Sequence, residues 1–168
     1  MTHQNKHAEN DESADLARSR LRVSDKGVLR WVNGRRAGMD AGHMTAYGYV
    51  RIRIGGRLYM AHRIVWLLTQ GCWPLMDIDH INGSPRDNRP ENLRETTIHA
   101  NLQNQRKAHS QSTTGLLGVV VDKSRKNQFR ACLRAHGKRY WLGDYPVPEL
   151  AHAAYLLAKR QLHEGCTL

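Results

Sequence analysis

Asp79 and His80 close a short apolar segment, Met76 to His80, and a loop rich in Asn, Gly, Pro and Asp runs from Asn82 to Pro90. Asn92-Leu93-Arg94 follows, and Asn101 stands nine residues beyond Asn92. One stretch thus supplies a carboxylate, an imidazole and two amides. Asp79 and Asn101 are hard oxygen donors, which suit Mg or Mn rather than zinc. An imidazole of ordinary pKa is mostly neutral at pH 7, so His80 can take a proton from water. Hydrolysis of a phosphodiester needs an activated water and a cation on the crowded charge, and this set can provide both. Neighbouring strand residues point to opposite faces, so Asp79 and His80 share a site only where the strand ends and twists into the loop. Asn92 is expected to bond to the loop backbone and so fix the aim of His80. Alone, an Asp-His pair before a Gly/Pro loop is usually only a turn; the joint pattern gives it weight.

The elements that must position these groups follow from periodicity. Tyr47 to Ile54 alternates as a strand, Gly55-Gly56 signals a two-residue turn, and Arg57 to Ala61 returns. His62 to Gln70 reads as a helix stopped by Gly71. Met76 to His80 is a short strand, and Ile98 to Lys107 a helix capped by Thr97, carrying Asn101. After a polar linker, residues 108–114, three strands are expected at Leu117–Asp122, Gln128–Ala135 and Arg139–Leu142. A helix from Pro148 to His163 closes the chain, with Leu150, Ala153, Ala154, Leu157 and Ala158 as its apolar face. The expected fold class is α+β. Residues 1–19 form a disordered tail, 20–107 the domain holding the Asp-His loop, and 115–168 a three-stranded antiparallel sheet packed on one helix.

Composition points to the target. The 168 residues hold 26 Lys and Arg against 15 Asp and Glu, a formal net charge of +11. Residues 106–145 net +7 while residues 1–20 net −1; such clustering argues for a polyanion partner over uniform solubilising charge. Three widely spaced cysteines offer neither a disulfide framework nor a zinc knuckle, which fits a reduced, cytosolic setting. Cys72 is expected to be a buried small hydrophobe. Met1 to Asp15 lacks the apolar core of a signal peptide, and the run Ile64 to Leu68 is too short to span a bilayer.

In the second domain, Arg130, Cys132 and Arg134 share one strand face, opposite Phe129, Ala131, Leu133 and Ala135. Arg139 and Trp141 likewise share a face. Arg130, Arg134, Arg139 and Trp141 are therefore expected on an exposed basic sheet, flanked by Lys123, Arg125 and Lys126, that can enter a DNA groove. A solvated sheet face with Trp141 partly buried is the plainer alternative. Arg106 is a phosphate contact or a solvated arginine. His62 is a phosphate ligand or a structural hydrogen-bonder at a helix start.

Asp79-His80, Asn92-Leu93-Arg94 and Asn101 resemble the HNH nucleases, and most closely the phage and intron-encoded HNH homing endonucleases. Tyr47-Gly48-Tyr49, Ala61-His62-Arg63 and Trp66 resemble that family's leader region, so the likeness spans about residues 20–108. It implies a ββα-metal nuclease module with one divalent ion. His80 would be the general base, Asp79 and Asn101 the metal ligands, and Asn92 the loop-ordering member of the catalytic set. No structural zinc is expected, because the zinc-binding pair of some relatives is absent. The implied activity is metal-dependent hydrolysis of double-stranded DNA, by a monomer or homodimer in a bacterial or phage-infected cytoplasm. No membrane and no small-molecule cofactor are involved.

Gly118-Val119, Phe129-Arg130-Ala131, Tyr140-Trp141-Leu142-Gly143 and Ala153-Ala154-Tyr155 resemble the plant APETALA-two/ethylene-response-factor DNA-binding domain. That likeness implies DNA contacts at Arg134, Arg139 and Trp141. Val120 and Asp122 stand where plant members place arginines, and Phe129 and Val147 also depart from the pattern. The alternative reading of the whole chain is a non-catalytic, sequence-specific DNA-binding or regulatory protein. A ribonuclease or toxin-like nuclease is a third.

Overall fold

The computed structural model describes residues 9–125, 128–163 and 165–167. The chain divides into two compact units, Met1–Thr97 and Ile98–Leu168. It is a mixed α and β protein with several small antiparallel sheets. No helix among the described residues is long and apolar enough to cross a membrane.

The first unit opens with helix α1, Asp11–Arg20, where a disordered tail was expected. Asn10 and Ser13 form a reciprocal capping box at its start, and Ala14 and Ala17 are buried in the core. Caps and small apolar residues at helical spacing explain the order that a charge count conceals. A hairpin follows, β1 (Leu21–Val23) against β2 (Leu29–Trp31). Strands β3 (His43–Met44), β4 (Val50–Ile54) and β5 (Arg57–Met60) form a sheet in that order. Ile52 and Ile54 are buried while Arg53 is exposed, as the alternation requires.

Helix α2, Ala61–Gln70, packs Ile64, Val65 and Leu67 into the same core, and Gly71 ends it in the left-handed conformation. Cys72, just past that cap, is exposed rather than buried because it sits in the connection, not on the helix face. Buried Arg63 ties this region together. It pairs with Glu9 at 2.5 Å and donates to the carbonyls of Pro74 and Met76. Strand β6 (Asp77–His80) then pairs with β7 (Leu93–Thr96) to form the hairpin that bears the Asp-His loop.

The second unit begins with helix α3, Ile98–Gln103, which is shorter than expected and groups with the C-terminal elements. The two compact units meet in sequence at Thr97/Ile98, ahead of the linker expected at residues 108–114. Strands β8 (Val119–Val121), β9 (Phe129–Ala135) and β10 (Lys138–Tyr145) form the expected antiparallel sheet. Ala131, Leu133 and Ala135 are buried. Helix α4, Pro148–Leu162, lies on the sheet but buries Ala151, Tyr155 and Lys159, whereas Leu150 and Leu157 are exposed. The expected apolar face is thus rotated. The buried Lys159 donates to the Gln105 carbonyl and lies over the Tyr155 ring, which satisfies its charge. Gly118 makes room for Tyr155: a Cβ there would stand 1.9 Å from the ring.

Candidate active site

Register sets the chemistry of Asp79. In the β6–β7 hairpin Asp79 lies across from Arg94 and His80 across from Leu93. Arg94 donates from Nε at 3.0 Å and Nη2 at 2.8 Å, both to Asp79 Oδ2. Asp79 is 6% exposed and His80 5%. A buried carboxylate is costly unless paired, and Arg94 is its pair.

His80, the last residue of β6, places Nε2 at 3.0 Å from Asn88 Oδ1. Asn88 is itself buried. An amide oxygen only accepts, so Nε2 carries the ring proton and Nδ1 keeps its lone pair. Burial holds the His80 pKa below the ordinary histidine value, opposed by the Asn88 bond and by the charges of Asp79 and Asp87. The ring is therefore neutral at pH 7.

Asn92 ties the loop as expected. Its Oδ1 accepts from the Asn82 backbone N–H at 2.9 Å, and its Nδ2 donates to Asn82 Oδ1 at 3.1 Å and to the Asp87 carbonyl at 2.7 Å. Arg89 clamps Asp87 with bonds of 2.9 and 2.8 Å and holds its carboxyl down at about 2. A third brace comes from the β1–β2 turn. Gly27 has φ +71°, and a Cβ on it would stand 2.3 Å from the backbone at Asn88 and Arg89. Only glycine permits both that φ and that approach.

Residues 59–103 match the family model of HNH endonucleases. This stretch, from β5 to α3, holds Asp79, His80, Asn88, Asn92, Arg94 and Asn101. Among solved structures, the chain is similar to one titled "DNA binding and cleavage by the HNH homing endonuclease I-HmuI", at 25% identity over 51% of each chain and a TM-score of 0.41. The chain thus spans about half the length of that protein. No curated protein matches it.

Behind His80 stands an aromatic wall. The His62 and His80 rings meet edge to face with centroids 5.2 Å apart, and the Tyr49 ring lies 5.8 Å from His62 and 6.0 Å from His80. Burial pushes the Tyr49 hydroxyl pKa up, and the Asp79 charge adds to it. His62 is buried, and burial, with the charges of His80 and Arg63 behind it, pushes its pKa down to about 3. His62 is thus a buried ring packed on His80 and Tyr49 rather than an exposed phosphate ligand.

That burial has a consequence for stability. Between pH 6.5 and about 3 the unfolded chain protonates this imidazole and the folded chain does not. Folding is therefore opposed as pH falls through this window, by up to about 1.4 kcal/mol per pH unit. Urea titrations from pH 7 to 4 should show stability falling, and His62→Phe should flatten the profile. An equal slope in both proteins would show that other groups set it.

Asn101 stands on α3, in the second unit. Within that unit, Asn104 is buried and accepts from the Thr167 hydroxyl at 2.5 Å. Arg106 Nη2 donates to the Thr167 carbonyl and hydroxyl at 2.9 and 2.7 Å, so a structural role engages the side chain expected on phosphate.

The basic sheet forms, with one change. Arg134 and Arg139 face each other across β9–β10, and both are exposed. Trp141 is 60% exposed, with the guanidiniums of Arg130 and Arg139 over its ring at 5.3 and 5.5 Å. Arg130, expected to be available to DNA, is clamped by Asp144 at 2.7 Å and Asp122 at 2.8 Å. The register explains this, because it sets Asp144 directly opposite Arg130. Lys123 and Arg125 are exposed on the flanking turn; Lys126 lies outside the described residues.

Sequence reasoning quoted Arg94 and Tyr49 within motifs but gave them no role, and it did not single out Asn88 or Gly27. Arg94 had a signal, since a two-stranded hairpin ending at His80 must set some residue opposite Asp79. Gly27 and Tyr49 act through contacts distant in sequence, and Asn88 is one of several loop amides that sequence does not tell apart.

Proposed function

We propose that this chain is a metal-dependent DNA endonuclease that hydrolyses phosphodiester bonds with its HNH module. The reading is carried by the buried Asp79–His80 pair, with the His80 ring held through Nε2 by Asn88, inside the matched segment. His80 Nδ1 accepts a proton from water. The water oxygen attacks phosphorus as the bond to the 3′ oxygen breaks, and that oxygen takes a proton from solvent, leaving 5′-phosphate and 3′-hydroxyl ends.

Asp79 and, on the motif's order, Asn101 are the residues that would hold a divalent ion. When bound, Mg or Mn supplies positive charge at the scissile phosphate and the leaving oxygen. The donor chemistry fits, since a carboxylate and an amide oxygen are hard ligands. Among the described residues no three His, Cys, Asp or Glu side chains gather into a metal cage. Water and phosphate oxygens suit the remaining positions of such an open site. Arg94 Nε and Nη2 both donate to Asp79 Oδ2, which orients the carboxylate.

The exposed Arg134, Arg139 and Trp141, with Lys123 and Arg125, support the second unit as an anchor on duplex DNA. Phosphate contact fits these residues better than base reading by β8, whose exposed side chain is Val120 and which runs into the acid Asp122. The homing character rests on the motif alone.

Plasmid nicking tests the function. Supercoiled DNA should become nicked or linear with Mg or Mn, and excess chelator should abolish the reaction, while RNA of matched length stays intact. Protein that binds the plasmid but leaves it supercoiled with both metals would instead establish the non-catalytic reading.

A further inference from the structure

Residues 18–60 carry ten Arg and Lys against only Asp25 and Asp40, a net charge of +8. This exceeds the charge of residues 106–145, and the hydrolytic chemistry uses none of it. The fold gathers four of these arginines around one groove of about 550 Å³. Arg20 comes from the end of α1, Arg35 and Arg36 from the helical turn Gly34–Arg36, and Arg53 from β4. Trp31 of β2 is the aromatic wall. All four arginines are exposed, and among the described residues lining the groove none is acidic.

The groove is built rather than incidental. Asn33 Nδ2 donates to the Ser19 carbonyl at 2.9 Å, which holds the Arg35–Arg36 turn beside the end of α1. Arg53 Nη1 donates to the Gly56 carbonyl at 2.8 Å, which fixes its guanidinium over the sheet.

We propose that this groove binds the sugar–phosphate backbone of duplex DNA, with its arginines on phosphates and the Trp31 ring against sugar. The proposal rests on the nuclease reading and gives the same substrate a second anchor. Phosphate contacts fix register and orientation on a duplex. An anchor on the unit that carries His80 therefore sets which phosphate reaches the base.

The test uses the full chain in a His80→Ala background, so that binding is measured without cleavage. Arg35→Gln/Arg36→Gln and, separately, Arg20→Gln/Arg53→Gln are titrated with a fluorescent random-sequence DNA duplex between about 50 and 200 mM salt. Each pair should lower the slope of log affinity against log salt by about two, and weaken binding about ten- to hundredfold. Thermal melts confirm folding, and either pair alone suffices if the other fails to fold. Unchanged slopes in folded variants would overturn the groove. An RNA duplex bound as tightly as DNA, and weakened equally, would overturn DNA as the partner. If the groove variants lose slope while the wild type never nicks plasmid with metal, the groove stands and the nuclease reading falls.

Discussion

Replacing His80 with alanine will slow plasmid nicking by about two to four orders of magnitude, the range set by losing a positioned general base. Duplex affinity, measured by anisotropy, will stay close to wild type, because a neutral buried ring contributes little to phosphate binding. The geometry makes the expectation specific. Nε2 is committed to Asn88 Oδ1 at 3.0 Å, which leaves Nδ1 as the only basic nitrogen. The His80 pKa lies below the ordinary histidine value, so the acid limb of the wild-type rate profile should also fall below that value. Asn88→Ala sharpens the test. Its bond to His80 raises the ring pKa, so removing it should move the acid limb further down. The maximal rate should fall as well, because the tautomer is no longer held. Full nicking by His80→Ala would end the assignment of His80 as base.

The site was legible where its parts are close in sequence. Asp79, His80 and Asn92 could be read because a strand end, a polar loop and a returning strand lie within one short segment, and each residue type has few alternative uses there. Asn88 sits in the same loop and was not distinguished, because nothing in its neighbours says which loop amide faces the imidazole. Gly27 was invisible for a stronger reason: its contact is with backbone some sixty residues away. The sheet of the second unit followed from alternation, since Ala131, Leu133 and Ala135 repeat every second residue. The face of α4 did not, because hydropathy hides Lys159 among exposed residues and promotes Leu150 and Leu157. The Gln105 carbonyl and the Tyr155 ring make the buried lysine tolerable. Arg130 illustrates the limit of charge counting. Its positive charge is real, but the cross-strand register answers it with Asp144.

Asn92→Ala should be the most damaging change that leaves Asp79 and His80 in place. Asn92 is 6% exposed, and its amide satisfies the Asn82 N–H, the Asn82 side-chain oxygen and the Asp87 carbonyl. Asn82 is exposed and can bond water instead, so the main loss is at the Asp87 carbonyl, about 1–3 kcal/mol, and the melting temperature should drop by roughly 2–10 °C. Nicking should fall about a hundredfold even where the protein is folded, because small displacements of a reacting group are that costly. The Asp87 carbonyl adjoins the peptide of Asn88, and Asn88 orients His80. Asn92→Asp separates the bonds. A carboxylate still accepts from the Asn82 N–H, but faces the Asp87 carbonyl across the 2.7 Å at which the amide now donates. That repulsion raises the new acid's folded pKa above its unfolded value, so stability should be regained as pH falls and the carboxyl proton restores a donor. Melting curves of the three proteins from pH 7 to 4 separate these outcomes. Wild-type melting and nicking by Asn92→Ala would show that the loop keeps its shape without this residue.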